Sequence, residues 1–384
     1  MIRGLIALSF GALSYGITEF VVMGLLPFIA ADFMVSTATA GHTISAYALG
    51  VVVGAFFMVF LRKMRLKHLL VLVISIHFAA NILTYFAPSF NVLILCRLLA
   101  GLPHGCFFGV GAIVAQRLAT KGKGNSAMAI MIAGQTMSNV FGVPLGTMLA
   151  NYFSWRAIFA LLTIWSAIVL LTTISMLPDT GKLEDKGFWQ QFAFLKRVAP
   201  WLVLGMIFFG SAGMFCVQTY VSPLLTDLGG LALIHVSVVL AAAGIAMMIS
   251  NLLSGWLSDK FTPVNTATGY FLVGIAAMIV LVTLGHYLIL CVGAILLIAA
   301  VLFGVSTPDQ VLMVRTSKGG ELLGVAMGQV GFNAGNAIGA LVGGVPIEKG
   351  LTLNYVPAVG LIFMVAACGC VLMLARKRQL VPEA

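Results

Sequence analysis

The chain has 384 residues, of which 61% are hydrophobic and 8% are charged, and its mean hydropathy is +1.10. A soluble protein of this length needs far more polar surface, so the composition excludes that class and indicates a membrane protein. Apolar runs of about twenty residues recur throughout, the length at which a helix crosses a hydrocarbon core of about 30 Å. A transmembrane barrel would show short alternating segments instead, and the sequence has none.

Hydropathy predicts twelve membrane-spanning helices and no strands. The fold class is therefore an all-α membrane protein with two six-helix halves. The predicted spans cover about residues 5–30, 41–61, 68–88, 91–116, 126–150, 157–177, 201–226, 235–257, 264–285, 287–308, 321–346 and 354–375.

The formal net charge of +10 is distributed unevenly between the two sides of this topology. Of the 21 Lys and Arg residues, all but Arg97, Arg156 and Lys349 fall on one side. The positive-inside rule makes that side cytoplasmic, so we expect both termini there, in a bacterial-type cytoplasmic (inner) membrane. Because the basic residues report topology, we expect the lipid bilayer as their surroundings and no nucleic-acid partner.

One sustained polar stretch, residues 178–200, divides the chain. We predict an amino-terminal bundle at 1–177, a cytoplasmic linker at 178–200 and a carboxy-terminal bundle at 201–384. The halves echo each other, since "GQTMSNVFG" (134–142) aligns with "GQVGFNAGN" (328–336) without gaps. Duplicated halves are typical of secondary transporters, whose substrate site lies near the bilayer midplane between the halves.

Three ionisable residues inside the predicted helices are candidates for proton coupling: Glu19, Arg97 and His104. A carboxylate at the middle of the first helix is desolvated, which makes reversible protonation accessible. Arg97 and His104 are seven residues apart, so they lie on one helix face about 10 Å apart. Two alternatives stay open. Glu19 and Arg97 could form a structural ion pair only, and His104 could be a hydrogen-bonding residue at a helix contact.

Amides and hydroxyls on helix faces are candidates for lining a substrate cavity, although helix adhesion would explain them equally well. Asp227 and Asp309 lie near predicted helix ends, so the second half offers mainly amides and aromatics. That asymmetry favours a neutral or polar solute. The candidates are Tyr15, Thr18, Gln135, Asn139, Gln218, Tyr220, Gln329, Asn333 and Asn336.

Enzymatic and metal chemistry find no support in the sequence. The six Cys residues lack paired spacing, and the chain has no GxxxxGK[ST], HExxH or GxSxG motif. We expect no metal, no cofactor, no catalytic residue and a monomer. A membrane-embedded enzyme would need clustered acid and base groups, and a channel would need a ring of like charges.

The chain resembles the major facilitator superfamily over nearly its whole length, and within it the arabinose efflux permease-like members of the drug/proton antiporter group. The resemblance rests on "YGITEFVVMGLLPFIAADF", "AGHTISAYALGVVVGA", "RLLAGLPHGCFFGVGAIVA", "GVPLGTMLANYFSWRAIF" and "KGGELLGVAMGQVGFNAGNAIGA" in this order. It implies twelve helices, alternating access, and a cavity lined by helices 1, 4, 7 and 10.

The resemblance also implies gating and structural roles for several motif residues. The superfamily signature G-x-x-x-D-[RK] is intact between helices 8 and 9, but its counterpart "LRKMRLKH" departs, with Arg62 where Asp is usual and Arg65 where Gly is usual. Arg97 with Gly101 matches the intramembrane motif that the family associates with proton coupling, and "GVPLG" looks like a shortened antiporter motif. The residues so implied are Gly101, Gly142, Pro144, Gly146, Gly255, Asp259 and Lys260.

The sequence therefore predicts a secondary active transporter that exports a small organic solute, such as a sugar, a nucleoside or a drug-like molecule, in exchange for protons. A uniporter or a proton-coupled importer on the same fold is the alternative, and a membrane-embedded enzyme is the alternative from a different class.

Overall fold

The computed structural model describes residues 2–61, 64–119, 124–182, 194–318 and 321–376. Within these ranges the chain is helical and forms no strand, and eleven of the helices are long and apolar enough to cross a membrane. The predicted all-α membrane fold is confirmed. The fifth predicted span is missing from that set because the structure breaks it into shorter segments.

The helices of the first half follow the predicted order. They are α1 (Ile2–Phe33), α2 (Thr37–Leu61), α3 (Leu66–Tyr85), α4 (Phe90–Leu118), α5a (Gly124–Met137), a π-helical segment (Ser138–Gly142), α5b (Val143–Tyr152) and α6 (Trp155–Met176). Ser89 and Ser154 begin α4 and α6 as N-caps, each accepting a hydrogen bond from a backbone N–H in the first turn.

The second half contains six further spans, of which the tenth is interrupted once. They are α7 (Val198–Thr219), α8 (Val236–Phe261), α9 (Pro263–Leu284), α10a (Leu288–Gly304), α10b (Ser306–Thr316), α11 (Glu321–Glu348) and α12 (Tyr355–Arg376). Short turns at Val221–Pro223, Leu224–Leu228 and Leu233–His235 connect α7 to α8.

The chain divides into two compact units, residues 1–34 with 46–185 and residues 35–45 with 186–384. The start of α2 groups with the second unit, where Ser45 Oγ donates to the Ala337 carbonyl at 3.0 Å. Residues 183–193 of the predicted linker lie outside the described ranges, so the predicted boundaries stay a prediction.

Small residues let the helices of the first unit approach closely. A Cβ on Gly54 would lie 1.8 Å from the Leu102 carbonyl oxygen, and one on Gly101 would lie 2.0 Å from the Tyr47 carbonyl oxygen. Only glycine permits such backbone contact between α2 and α4. The spacing of Gly101 one turn after Arg97 predicts this approach, and the structure identifies the neighbour as the backbone of Tyr47.

Glycines also allow α7 and α11 of the second unit to approach closely. Gly335, Gly339 and Gly343 recur every four residues along α11, and a Cβ on each would lie within 3.0 Å of the α7 backbone or of an α7 side chain. This stripe holds the two helices in close contact along about two turns.

The α10 span is interrupted at Val305 for a local reason. Pro308 has no N–H, so the Gly304 carbonyl lacks its helical donor. The Ser254 hydroxyl of α8 donates to that carbonyl instead. The helix then continues to Thr316, eight residues beyond the predicted end of the span.

Candidate functional site

A buried acid and a buried imidazole face each other in the first unit. Glu19 of α1 is 3% exposed and His104 of α4 is 5% exposed. His104 Nε2 lies 3.9 Å from Glu19 Oε2. The second carboxylate oxygen, Oε1, is buried without a hydrogen-bond partner among the described residues. One carboxylate oxygen of Glu19 therefore faces the imidazole, and the other has no protein partner in the described part.

Arg97 completes the cluster about two turns before His104 on α4. The side chain is 1% exposed, and Nη1 donates to the Thr18 carbonyl at 2.8 Å. The guanidinium carbon lies 4.4 Å from the centre of the Tyr47 ring, a cation–π contact. The Arg97 charge also acts electrostatically on the Glu19 carboxylate. The structure therefore brings Glu19, Arg97 and His104 together in one buried cluster.

Tyr47 of α2 is a member of this cluster that the sequence analysis missed. Its hydroxyl lies 2.8 Å from His104 Nδ1, and its ring is fully buried beneath Arg97. One side chain thus contacts both the imidazole and the guanidinium. The available signal was a lone tyrosine in "ISAYALG", next to the glycines of α2 that allow α4 to approach.

Behind this cluster lies a second polar network that involves His77. Its Nε2 contacts Ser14 Oγ at 3.0 Å and Asn81 Nδ2 at 3.2 Å. The Tyr15 ring packs against His77, tilted by 36° with ring centres 4.0 Å apart, and its hydroxyl donates to the Val73 carbonyl at 3.0 Å. Tyr15 is therefore bonded to α3 in this conformation. Thr18 is fully buried, and its carbonyl receives Arg97.

The fifth span carries the predicted amides beside a π-helical turn. Pro144 has no N–H, and the chain accommodates it by widening into the π segment Ser138–Gly142. Asn139 is buried and donates to the Gln135 carbonyl at 3.3 Å. Gly142 and Gly146 pack on Ile17 and Val21 of α1, respectively, the helix that carries Glu19.

The predicted amide residues of the second unit differ in their exposure. Gln329 is exposed, whereas Gln218, Asn333 and Asn336 are buried. Among the described residues, Gln218 Nε2 and both amide atoms of Asn336 have no hydrogen-bond partner. Unsatisfied buried amides are costly, so these positions can accept a polar ligand or water.

Tyr220, also a predicted cavity residue, is fully buried, and its hydroxyl donates to the Ala340 carbonyl at 2.8 Å. The Tyr220 hydroxyl also packs against Gly41 and Gly344, where a Cβ on either residue would clash with it. In this conformation Tyr220 holds α11.

Asp309 corrects the sequence analysis. The tenth span was expected to end at residue 308, and that end is wrong because α10b (Ser306–Thr316) continues to Thr316, with Asp309 in its first turn. The side chain is 8% exposed, and Oδ1 has no partner among the described residues. The second unit therefore holds a buried carboxyl in addition to its amides and aromatics.

The superfamily signature lies within the last turns of α8, since that helix extends to Phe261. The loop to α9 is the single residue Thr262, which has a φ of 84°. Lys260 is exposed with Nζ 4.7 Å from the Trp256 ring centre. The Asp259 side chain and the segment with Arg62 lie outside the described part, so their predicted gating roles stay predictions.

Arg65, from the divergent counterpart of that signature, bonds to the polar segment after α6. Its guanidinium donates to Asp179, and its backbone bridges to Lys182. Arg117 donates to the carbonyls of Thr180 at 2.7 Å and Lys182 at 2.9 Å. Arg65 and Arg117, which were predicted to lie on the same side of the membrane, thus bond to the same segment, residues 179–182.

Within the described ranges, no three His, Cys, Asp or Glu side chains group in a way that could hold a metal ion. What the buried groups of the first unit can do is exchange a proton and hold a charge.

Comparison with known proteins identifies the family. The model of the Major Facilitator Superfamily matches residues 8–344. The chain belongs to this superfamily. It is a multi-pass membrane transporter and not an enzyme, as the sequence predicted. Its resemblance to the arabinose efflux permease-like members is confirmed as well.

Curated relatives match the chain from end to end. The Putative transporter AraJ of Escherichia coli (strain K12) is 36% identical over 381 residues, 99% of this chain and 97% of the relative. The Inner membrane transport protein YdhP of the same strain is 35% identical over 375 residues, 97% of this chain and 96% of the relative.

Solved structures share the fold at low sequence identity. A bacterial homologue of the human lysosomal transporter Spinster has a TM-score of 0.78 at 16% identity, over 99% of this chain and 98% of that one. A point mutant of the nucleoside transporter NupG has a TM-score of 0.77 at 13% identity, over 97% of this chain and 98% of that one.

Proposed function

We propose that this transporter exports a small organic solute in exchange for protons, and that Glu19 carries the proton. The observation that supports the proposal best is the buried contact between Glu19 and His104 beside Arg97. Ionisable residues inside a membrane are expensive to bury and mark ion or substrate pathways.

The chemistry of the three groups assigns their roles. Arginine does not release its proton in proteins, so Arg97 acts as a fixed charge. Glu19 can exist with or without a proton, and the neutral form avoids the cost of an isolated buried charge. A conformational change that brings the carboxylate nearer to Arg97 favours proton release, and separation favours uptake. Glu19 is thereby the group whose protonation follows the transport cycle.

His104 is placed to orient or relay that proton. When the Tyr47 hydroxyl donates to Nδ1, the neutral imidazole carries its hydrogen on Nε2, which is the atom that faces Glu19. A protein conformation that shortens the distance of 3.9 Å would complete a hydrogen bond to the carboxylate.

Solute binding is proposed for the buried amides of the second unit. Gln218 and Asn336 have polar atoms without partners in the described part, and neither residue carries a charge. Such groups match the hydroxyl and carbonyl groups of a neutral polar solute, such as a sugar or a nucleoside. A site built this way discriminates by hydrogen bonding.

Transport in liposomes tests the proposal. The purified protein would be reconstituted and supplied with radiolabelled pentoses, nucleosides and lipophilic cations, with the pH gradient set in either direction. One proton per solute supports about tenfold accumulation per pH unit, since a pH unit corresponds to about 1.4 kcal/mol. Antiport predicts solute accumulation in the more acidic compartment. Accumulation in the more alkaline compartment would indicate an importer, and equilibration without accumulation a uniporter.

A further inference from the structure

A groove of about 780 Å³ lies in the second unit, away from the buried polar residues discussed above. Its walls are α8, α9 and α10a. Apolar side chains make up most of the lining, among them Ile249, Leu253, Leu257, Val273, Leu297 and Val301.

The groove opens on the outside of its unit. Ile249, Leu253, Val273 and Leu297 line it and are also large exposed apolar residues. In a chain that spans a membrane, an exposed apolar surface at helix mid-length faces hydrocarbon.

The length of the groove fits a lipid chain. Along α8 it extends from Ala246 to Phe261, a rise of about 22 Å. One leaflet of a bilayer contributes about 15 Å of hydrocarbon, half of a core of about 30 Å. An acyl chain of that leaflet can therefore lie in the groove along most of its length.

Of the four polar lining residues, Ser250 and Tyr270 are hydrogen-bonded to each other, and the other two lie at one end of the groove. Asn265 and Thr266, in the first turn of α9, line the groove there. Lys260 precedes the lining residue Phe261 at the end of α8, with Nζ 5.3 Å from the centre of the Phe261 ring. An exposed ammonium at a helix end, beside the aromatic rings of Trp256 and Phe261, is placed as at a membrane–water interface.

We propose that this groove binds one anionic phospholipid, with an acyl chain along α8, α9 and α10a and the phosphate near Lys260. The apolar lining and the single basic end match a molecule that is apolar along its length and negatively charged at one end. A hydrophobic solute would fill the same volume but would not place a negative charge near Lys260.

A photoreactive lipid tests this proposal without a known transport substrate. The protein would be placed in nanodiscs of unlabelled phosphatidylcholine that contain one photoreactive probe lipid. The probe is either phosphatidylglycerol or phosphatidylcholine, and each probe carries a diazirine in its acyl chain. Crosslinked peptides would then be mapped by mass spectrometry. Crosslinks from phosphatidylglycerol should concentrate on α8, α9 and α10a and exceed those from phosphatidylcholine by about fivefold, the factor expected for one basic side chain near the membrane surface.

Two glycines provide a matched pair of variants. Gly269 lines the groove, and nothing lies within 4 Å of a Cβ built there. Gly269→Leu has room for its Cβ and should place its side chain in the groove and abolish the crosslinks. Gly369 of α12 has the same open space but does not line the groove, so Gly369→Leu should keep them. Lys260→Gln should reduce the preference for phosphatidylglycerol to near parity.

Three results would overturn the proposal. The first is equal crosslinking of both lipids to this groove in the wild-type protein. The second is a Gly269→Leu variant that keeps the crosslinks. The third is suppression of the crosslinks by tetraphenylphosphonium, a result that would assign the groove to a hydrophobic solute. The comparison of the two lipids uses wild-type protein and does not depend on the folding of a variant. Because no proton or solute flux enters the readout, the result is also independent of the proposed antiport.

Discussion

His104 Nε2 lies 3.9 Å from Glu19 Oε2, while the Tyr47 hydroxyl lies 2.8 Å from the other ring nitrogen of His104. The imidazole is thus held between a carboxylate and a phenol, both buried. If this arrangement relays a proton, the loss of either contact must affect coupling.

Tyr47→Phe removes one hydrogen bond and leaves the ring beneath Arg97 in place. We expect pH-driven flux to fall by about tenfold, which corresponds to about 1.4 kcal/mol for a lost buried hydrogen bond. The pH-driven flux of His104→Ala should fall further, because the contacts with both Glu19 and Tyr47 disappear. Flux in proteoliposomes measures both effects, and Tyr152→Phe, at an exposed tyrosine, is the control. Full activity in both variants would leave His104 as the hydrogen-bonding residue at a helix contact, the alternative that the sequence left open.

Gly101→Ala tests how backbone contact positions the cluster. The new Cβ would lie 2.0 Å from the Tyr47 carbonyl oxygen, so α2 and α4 must separate. We expect a loss of stability of about 1–3 kcal/mol and a strong loss of flux. Gly105→Ala, one turn later, meets its nearest atom at 3.4 Å and should behave like wild type. Thermal unfolding in detergent and flux are the measurements. Equal effects of the two variants would refute this account of Gly101.

The ionisation of Asp179 should make the contact between residues 179–182 and α3, outside the membrane, depend on pH. The pKa of this carboxyl lies below its ordinary value because the Gly181 N–H donates to it and, secondly, because Arg65 donates and carries opposite charge. Ionisation therefore stabilises the contact of residues 179–182 with α3. That stabilisation is present above the unfolded-state pKa of about 3.9 and is lost as the pH falls through the lower folded-state value.

Amide exchange at Leu66, whose N–H donates to the Gly181 carbonyl, measures this contact. Protection should be constant above about pH 5 and should fall toward more acidic pH. Asp179→Asn should lower the protection and remove its acid dependence, while Asp227→Asn, an exposed aspartate in another segment, should change neither. Unchanged protection in Asp179→Asn would show that the carboxylate does not hold the segment.

Helix number and order were predictable from the sequence, because hydropathy responds to the same bilayer thickness that limits the helices. Interruptions inside a span were not. The π segment at Ser138–Gly142 accommodates Pro144, and the break at Val305 depends on the Ser254 hydroxyl of α8, which satisfies the carbonyl that Pro308 leaves free. The predicted end of the tenth span at residue 308 was wrong for this reason, since the span continues beyond Pro308 as α10b.

The candidate site was predictable where charge alone marked it. Glu19, Arg97 and His104 stand out in an apolar sequence, so their importance followed from the cost of burying them. Their contacts did not follow. Tyr47 joins the cluster through the approach of α2 to α4, and Tyr220 bonds to a backbone carbonyl, neither of which a periodic pattern specifies.

The central claim is that Glu19 exchanges the proton that drives transport. Glu19→Gln keeps the size of the side chain but cannot ionise. In proteoliposomes it should lose all solute accumulation driven by a pH gradient and still catalyse exchange of labelled for unlabelled solute. Glu348→Gln, at a half-exposed glutamate at the end of α11, should retain both activities. Accumulation by Glu19→Gln that responds to the pH gradient as wild type does would contradict the account.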